Sequence, residues 1–282
     1  MAAQHQTGTI LGCGYVGQGV ARCWRDKDLQ VTATTTTPSR LSELEAIAHQ
    51  AVLLNSRDRD EMLVRLSNES LLLVSIGAPH REAYRDTYLG TAKMLADILP
   101  YTAITQVIYT SSYAVYGDRQ GQWVTEADAP QPANVNGEIL AEAEQVLLGA
   151  ATPERAICVL RLGGIYGPGR ELVKIFRRVA GTTRPGTGDD ASNWIHLDDT
   201  VAAIDFARQQ RLQGLYNLVQ DTPPTVKTLL RQVMAAHDLP AVQWDPSQTS
   251  ARAYNAQVSN EKLKQAGYTF IHPQFWFQES PV

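Results

Sequence analysis

Three glycines near the start of the chain, Gly12, Gly14 and Gly17 in "TILGCGYVGQG", stand at G-x-G-x-x-G spacing, directly after an apolar run and at the head of a helical pattern. At such a junction the first glycine permits a tight turn, the second lets a pyrophosphate approach the backbone, and the third lets helix and strand pack closely. Backbone N–H groups at the helix start, around Tyr15 and Val16, would then hold the phosphates. Glycine-rich turns also arise for conformational reasons alone, but the strand-turn-helix context points to a dinucleotide. An acid about 20 positions further on would grip a ribose 2′-hydroxyl. Here the second apolar run ends in "VTATTTTPSR", which offers hydroxyls from Thr35, Thr36 and Thr37 and the guanidinium of Arg40, but no carboxylate. The planar fork of Arg40 suits a 2′-phosphate, so the expectation is NADP in preference to NAD. If the threonines merely populate a β-prone turn and Arg40 is solvated, that preference lapses. Ser75 and Ile76, closing the fourth apolar run, are placed with the cofactor residues.

These residues need a scaffold, and the apolar pattern supplies one. "TILG", "QVTAT", "AVLL", "LLLVSI", "TQVIYTS" and "AICVLRL" read as buried strands, each followed by an amphipathic helical stretch or a loop leading to one. That alternation predicts an α/β fold, a doubly wound parallel Rossmann sheet over residues 1–162. Beyond "RLGGIYGPGR" the pattern loosens into a Gly/Thr/Pro/Asp loop, "NWIHLDD", "GLYNLV" and three helical stretches. Residues 163–282 are too irregular for a second Rossmann unit and predict a small mixed α/β substrate cap, some of whose elements return to the core.

Composition excludes several function classes. The 282 residues are 44% apolar and 19% charged with a net charge of −4 and no basic stripe, which argues against a nucleic-acid partner. Cys13, Cys23 and Cys158 are odd in number and sit in apolar segments, so they read as reduced thiols, and no metal is expected from them. The N-terminus lacks a basic stretch followed by a signal-length apolar run, and nowhere is there an apolar segment of about 18 residues, so a cytoplasmic protein that does not span a membrane is expected.

Four segments in order, "GCGYVGQG", "YTSSYAVYGD", "LRLGGIYGPGR" and "NWIHLDDTVAAI", resemble the extended short-chain dehydrogenase/reductase superfamily, in its NAD-dependent epimerase/dehydratase group. The resemblance implies that Ser112, four residues before Tyr116, polarises a substrate oxygen, with Ser111 beside the cofactor. Both serines could instead bond to neighbouring backbone in a turn. It also implies a tyrosine and, four positions later, a lysine on the following helix as the acid/base pair. Here Asn136 and Leu140 occupy those places, or Asn134 and Glu138 in a register shifted by two, and neither register restores the pair. Tyr113 is the substitute phenol nearest the serines, with a pKa expected near 10 in the absence of a lysine. Glu138 and His196 are further proton-transfer candidates, although Glu138 reads more simply as a solvated helix residue. Leu162, Gly164 and Ile165 are implied to touch the nicotinamide through main chain, and Asn136, Arg170 and His196 to face the substrate. Asp198 and Asp199 read as cap and first-turn charges of a helix. The aromatic tail from Tyr268 should pack on the cap or at a dimer contact, and a homodimer is expected from the resemblance.

The resemblance thus implies an NAD(P)-binding oxidoreductase or epimerase for a small polar carbonyl or alcohol substrate such as a nucleotide sugar. The open alternative is a non-catalytic NADP(H)-binding regulatory or interaction protein that has kept the scaffold and lost the reactive pair.

Overall fold

The structure, a computed structural model, describes residues 6–250 and 252–275. The first half alternates strand and helix: β1 (Thr7–Leu11), α1 (Tyr15–Arg25), β2 (Gln30–Thr35), α2 (Leu41–Glu45), β3 (Gln50–Leu53), α3 (Arg59–Leu66), β4 (Leu71–Val74), α4 (Thr91–Ile98) and β5 (Gln106–Ser112). The chain continues through β6 (Asp118–Val124), α5 (Val135–Leu148), β7 (Ala156–Leu162), β8 (Gly164–Tyr166), α6 (Leu172–Phe176), β9 (Thr183–Pro185) and β10 (Trp194–His196). It ends in α7 (Leu197–Gln209), β11 (Gly214–Leu218), α8 (Val226–Ala236), β12 (Gln243–Asp245), β13 (Asn255–Val258) and α9 (Glu261–Gln265).

Seven strands form one parallel sheet in the order β11-β7-β5-β4-β1-β2-β3. The six apolar runs seen in the sequence supply six of them; the seventh, "GLYNL", comes from the part expected to be cap and joins the edge beside β7. All four residues of β4 and all seven of β7 are buried, as strands covered on both faces must be, and this is why they read as continuous apolar runs. The sheet winds outward from β1 through β2 and β3, then returns to place β4 on the other side of β1. In such sheets the crevice at this reversal, outside the carboxyl ends of the strands, takes the ligand.

Helix α1 buries Val16, Val20 and Trp24 at four-residue spacing, which is one face of the helix. Ile139, Ala143 and Leu147 of α5 continue the same logic against Leu72, Val107, Tyr109 and Val159 in an apolar cluster on the sheet.

The chain divides into two compact units, each made of separate segments. The first holds residues up to Ser112, Glu138–Arg161 and Val201–Tyr216; the second holds Tyr113–Gly137, Leu162–Thr200 and the chain from Asn217 onward. Residue 162, where the sequence places a boundary, is one of several crossings. In the second unit α8 packs Leu229, Leu230, Val233 and Met234 around Tyr166 and Leu172, and Thr225 caps it by accepting from the Thr228 amide at 3.1 Å. Among the described residues no helix is long and apolar enough to cross a membrane.

Candidate functional site

The first unit contains a cleft of about 910 Å³ lined by the glycine loop, the end of β2 and the segments after β3 and β4. Gly12 turns with φ +85°, and a Cβ there would lie 2.8 Å from the Ile76 backbone, so the first glycine is required by conformation and by contact. Gly17 is pressed on the strand: a Cβ would meet the Gly12 carbonyl at 3.0 Å. Gly14 differs from both, because a Cβ there would meet nothing within 4 Å, and the same holds at Gly77 across the cleft. Helix α1 starts at Tyr15 with no acid in its first turn. Bare backbone facing open space at a helix N-terminus is what a dinucleotide pyrophosphate requires, so the residues present fit that group.

The loop is held on both sides. The Cys13 amide donates to the Thr34 carbonyl at 2.9 Å, the Gly12 amide to the Thr34 hydroxyl at 3.1 Å, and the Ser75 amide to the Leu11 carbonyl at 2.9 Å. Thr34, absent from the sequence-based candidates, is therefore the residue that ties the loop to β2; its place as the first of four consecutive threonines hides it. Arg40 reaches back over the loop, with Nη2 donating to the Cys13 carbonyl at 2.9 Å and Nε to Glu43 at 3.4 Å. Thr35 accepts from the Thr37 amide at 3.1 Å, and Thr36 is exposed at the rim. Gly12, Gly14, Thr35, Thr36, Arg40, Ser75 and Ile76 line the cleft together, whereas Tyr15, Val16 and Gly17 form the helix turn behind the loop. Asn55, Arg57 and His80 also line it and were not legible as site residues, since they lie in loops whose sequence carries no motif. Burial pushes the Cys13 thiol up to about 11, partly offset by Arg40, so this cysteine in the cleft wall is unreactive.

Ser112 ends β5, half-buried. Ser111 has a partner that the sequence does not point to: its hydroxyl donates to Glu144 Oε1 at 2.6 Å within the protein interior. Glu144, which the helical pattern places off the apolar stripe of α5, is fully buried and paired with the equally buried Arg161. Arg161 Nη2 donates at 2.6 Å and Nε at 3.1 and 3.2 Å to its two carboxylate oxygens. One signal for this was available: a lone arginine in the wholly apolar run "AICVLRL" demands a buried acid. Leu140, at the expected lysine position, is buried, and Glu138 is exposed, in keeping with a solvated helix residue.

In the second unit Asn134 caps α5, accepting from the Gly137 amide at 3.1 Å, and Asn136 sits half-buried in the first turn. Tyr113 is buried edge-on against Tyr254 at 5.3 Å between ring centres. Burial, reinforced by Tyr254, drives its phenol well above the usual tyrosine range, so the ordinary value expected from sequence is corrected upward and Tyr113 is unfit as a base. Leu162, Gly164 and Ile165 lie where the backbone turns from β7 into β8, and a Cβ on Gly164 would meet the Trp194 ring at 2.8 Å. Packing against β10 is thus a reason for the glycine independent of any cofactor. Arg170 is exposed, closing a turn with Gly167.

His196 is buried, with Tyr166 edge-on at 5.0 Å and the His272 ring at 4.1 Å. Burial first, then the neighbouring His272, hold its pKa below the usual histidine range. Asp198 and Asp199 do lie in the first turn of α7, but Asp199 has a larger role than capping. Its buried carboxylate accepts from the Tyr268 hydroxyl at 2.9 Å, the Ile271 amide at 2.7 Å and the His272 amide at 2.8 Å, fastening the aromatic tail. Phe275 follows onto Tyr166 at 5.7 Å; the tail beyond it lies outside the described residues.

A parallel sheet wound about a glycine loop, with a cleft at the strand reversal, defines a dinucleotide-binding Rossmann protein. Residues 9–218 match the profile of the NAD dependent epimerase/dehydratase family, and the chain belongs to that family. It is 29% identical over 273 residues to Protein YeeZ of Escherichia coli (strain K12), covering 94% of this chain and 95% of that one. Among solved structures it is similar to human epimerase family protein SDR39U1, with TM-score 0.73 and 14% identity over 95% of this chain and 96% of the other. It is also similar to MoeE5, with TM-score 0.75 and 18% identity over 93% and 92% of the two chains. At these identities the two structures speak for the fold alone.

Proposed function

We propose that this protein is an NADP(H)-binding oxidoreductase or epimerase acting on a small polar carbonyl or alcohol substrate of the nucleotide-sugar class, without the usual Tyr-x-x-x-Lys pair. The carrying observation is Arg40 clamped over the glycine loop, in a cleft where β2 ends in hydroxyls and no acid. A guanidinium there attracts a 2′-phosphate, and no carboxylate at the end of β2 repels one. The SDR39U1 structure was solved with NADPH, and MoeE5 with UDP-glucuronic acid and NAD, which supports a nicotinamide cofactor and a nucleotide-sugar class of substrate. When bound, the cofactor accepts or supplies a hydride. In this reading Ser112 orients the reacting oxygen, Leu162, Gly164 and Ile165 border the nicotinamide through main chain, and Asn136, Arg170 and His196 serve the substrate side.

Calorimetry with NADPH and NADH tests the cofactor, and Arg40→Ala identifies its source. Loss of a charge-assisted contact predicts a drop in NADPH affinity of about 10- to 100-fold with little change for NADH. Equal affinity for both nucleotides in the wild-type protein refutes the NADP assignment. Incubation with 4-deuterated NADPH and a panel of sugar nucleotides tests catalysis: substrate-dependent loss of deuterium that Ser112→Ala abolishes is expected, and nucleotide binding without any exchange refutes it.

A further inference from the structure

We propose that His196, Asp198 and His272 form a binding site for a divalent transition-metal ion of the zinc class, separate in chemistry from the nucleotide cleft. His196 ends β10, Asp198 lies in the first turn of α7, and His272 follows α9, so no spacing motif could join them. Asp198 Oδ2 lies 3.4 Å from His196 Nδ1 and 3.2 Å from His272 Nε2, and the three ligand atoms all fall within 4.8 Å of one another. Bonds of about 2.0–2.1 Å to a tetrahedral ion place neighbouring ligand atoms roughly 3.3 Å apart. Two edges of the coordination polyhedron are therefore close to that spacing, and the third lies within 4.8 Å.

The contacts also turn lone pairs toward one another, as ligands of a cation do. His196 Nδ1 accepts the Asp198 backbone N–H at 3.1 Å, so that nitrogen presents a lone pair, yet it also faces the Asp198 carboxylate at 3.4 Å. Two lone-pair-bearing atoms at this spacing can share one cation. A metal ion would take the Nδ1 lone pair and release the amide, which belongs to a helical first turn and can turn to water.

The ligands are also preorganised. Asp199 fixes the His272 backbone through two adjacent amides, and Tyr166 packs edge-on against the His196 ring. Support of this kind orients first ligands and raises affinity. The side chains of His196, His272 and Asp198 are 4%, 17% and 54% exposed, so the site is closed on the His196 side and open beside Asp198. Three protein ligands with one open position leave room for a water or an exchangeable anion. Two imidazoles and one carboxylate favour Zn2+, Co2+ or Ni2+ over Mg2+ and Ca2+.

The test uses the full chain, stripped with a chelator and titrated with CoCl2, followed by Zn2+ competition. Saturable visible absorption typical of low-coordinate Co2+ with nitrogen and oxygen ligands, displaced by Zn2+, is expected. His272→Ala and Asp198→Asn should each weaken binding at least about 10-fold, while His237→Ala, on an exposed histidine at the end of α8, leaves it unchanged. Asp198→Asn alters an exposed side chain conservatively and keeps the test valid if His272→Ala folds poorly. NADPH affinity should not change in either variant, so the outcome is read independently of the proposed function. Absence of saturable Co2+ or Zn2+ binding below about 100 µM, or binding that survives in both variants, overturns the site.

Discussion

Replacing Glu144 by glutamine is the sharpest test of how this scaffold is held together. The change keeps shape and leaves the Ser111 hydroxyl an acceptor, but strands the Arg161 guanidinium, which is fully buried and cannot give up its proton. The charge centres of such a two-pronged pair lie about 4 Å apart, where an effective dielectric of about 20 gives roughly 4 kcal/mol of attraction. Breaking buried pairs by removing one partner costs about 3–5 kcal/mol, in agreement with that figure. We expect Glu144→Gln and Arg161→Met each to lower unfolding stability by about 3–5 kcal/mol in urea titrations at pH 7. The double variant Glu144→Gln/Arg161→Met should recover most of the loss, because no charge then remains buried without its partner. A cost below about 1 kcal/mol for Glu144→Gln, or a double variant whose cost is the sum of the single ones, would refute the reasoning.

The glycine loop predicts a contrast between neighbours. Gly12→Ala should destabilise the fold by about 1–3 kcal/mol, because it combines a positive φ with contact on the Ile76 backbone, whereas Gly14→Ala should leave stability unchanged and weaken nucleotide binding in calorimetry. Tyr113→Phe should leave the pH dependence of any turnover unmoved, because the buried phenol keeps its proton throughout the working range; a lost limb in the pH–rate profile would contradict this. The Asp205 carboxylate is pushed up by burial but pulled down further by hydrogen bonds from Lys27 and Arg208, for a net lowering. Its contribution is therefore complete above the unfolded value, near pH 4, and is lost as pH falls through the lower folded value. Asp205→Asn should remove that part of the acid limb in stability measured from pH 5 downward.

The buried pair also marks where sequence reading stops. Burial of Leu71–Val74 and Ala156–Leu162 between two helical layers writes itself as uninterrupted apolar runs, so six strands and their parallel order of use are visible in the chain. The glycine loop is equally visible, because the constraints on Gly12, Gly14 and Gly17 act within one turn. Periodicity fails at Glu144: a charged residue on a helix reads as solvated, and only Arg161, brought beside it by the packing of α5 against the sheet, makes its burial tolerable. The same holds for β11, a short polar-flanked run whose place in the sheet depends on an open edge beside β7.

By itself, then, the sequence determined six of the seven strands of the Rossmann sheet and the glycine turn at its first strand, because each is written in residues close along the chain. Tertiary structure alone decided that Ser111 serves Glu144, that Tyr113 is buried against Tyr254, that Arg40 closes over Cys13, and that His196 and Asp198 meet His272. Those outcomes depend on pairs separated by 27 to 74 residues in three of the cases, Arg40 with Cys13, Ser111 with Glu144 and Asp198 with His272, and on burial, which no local pattern encodes.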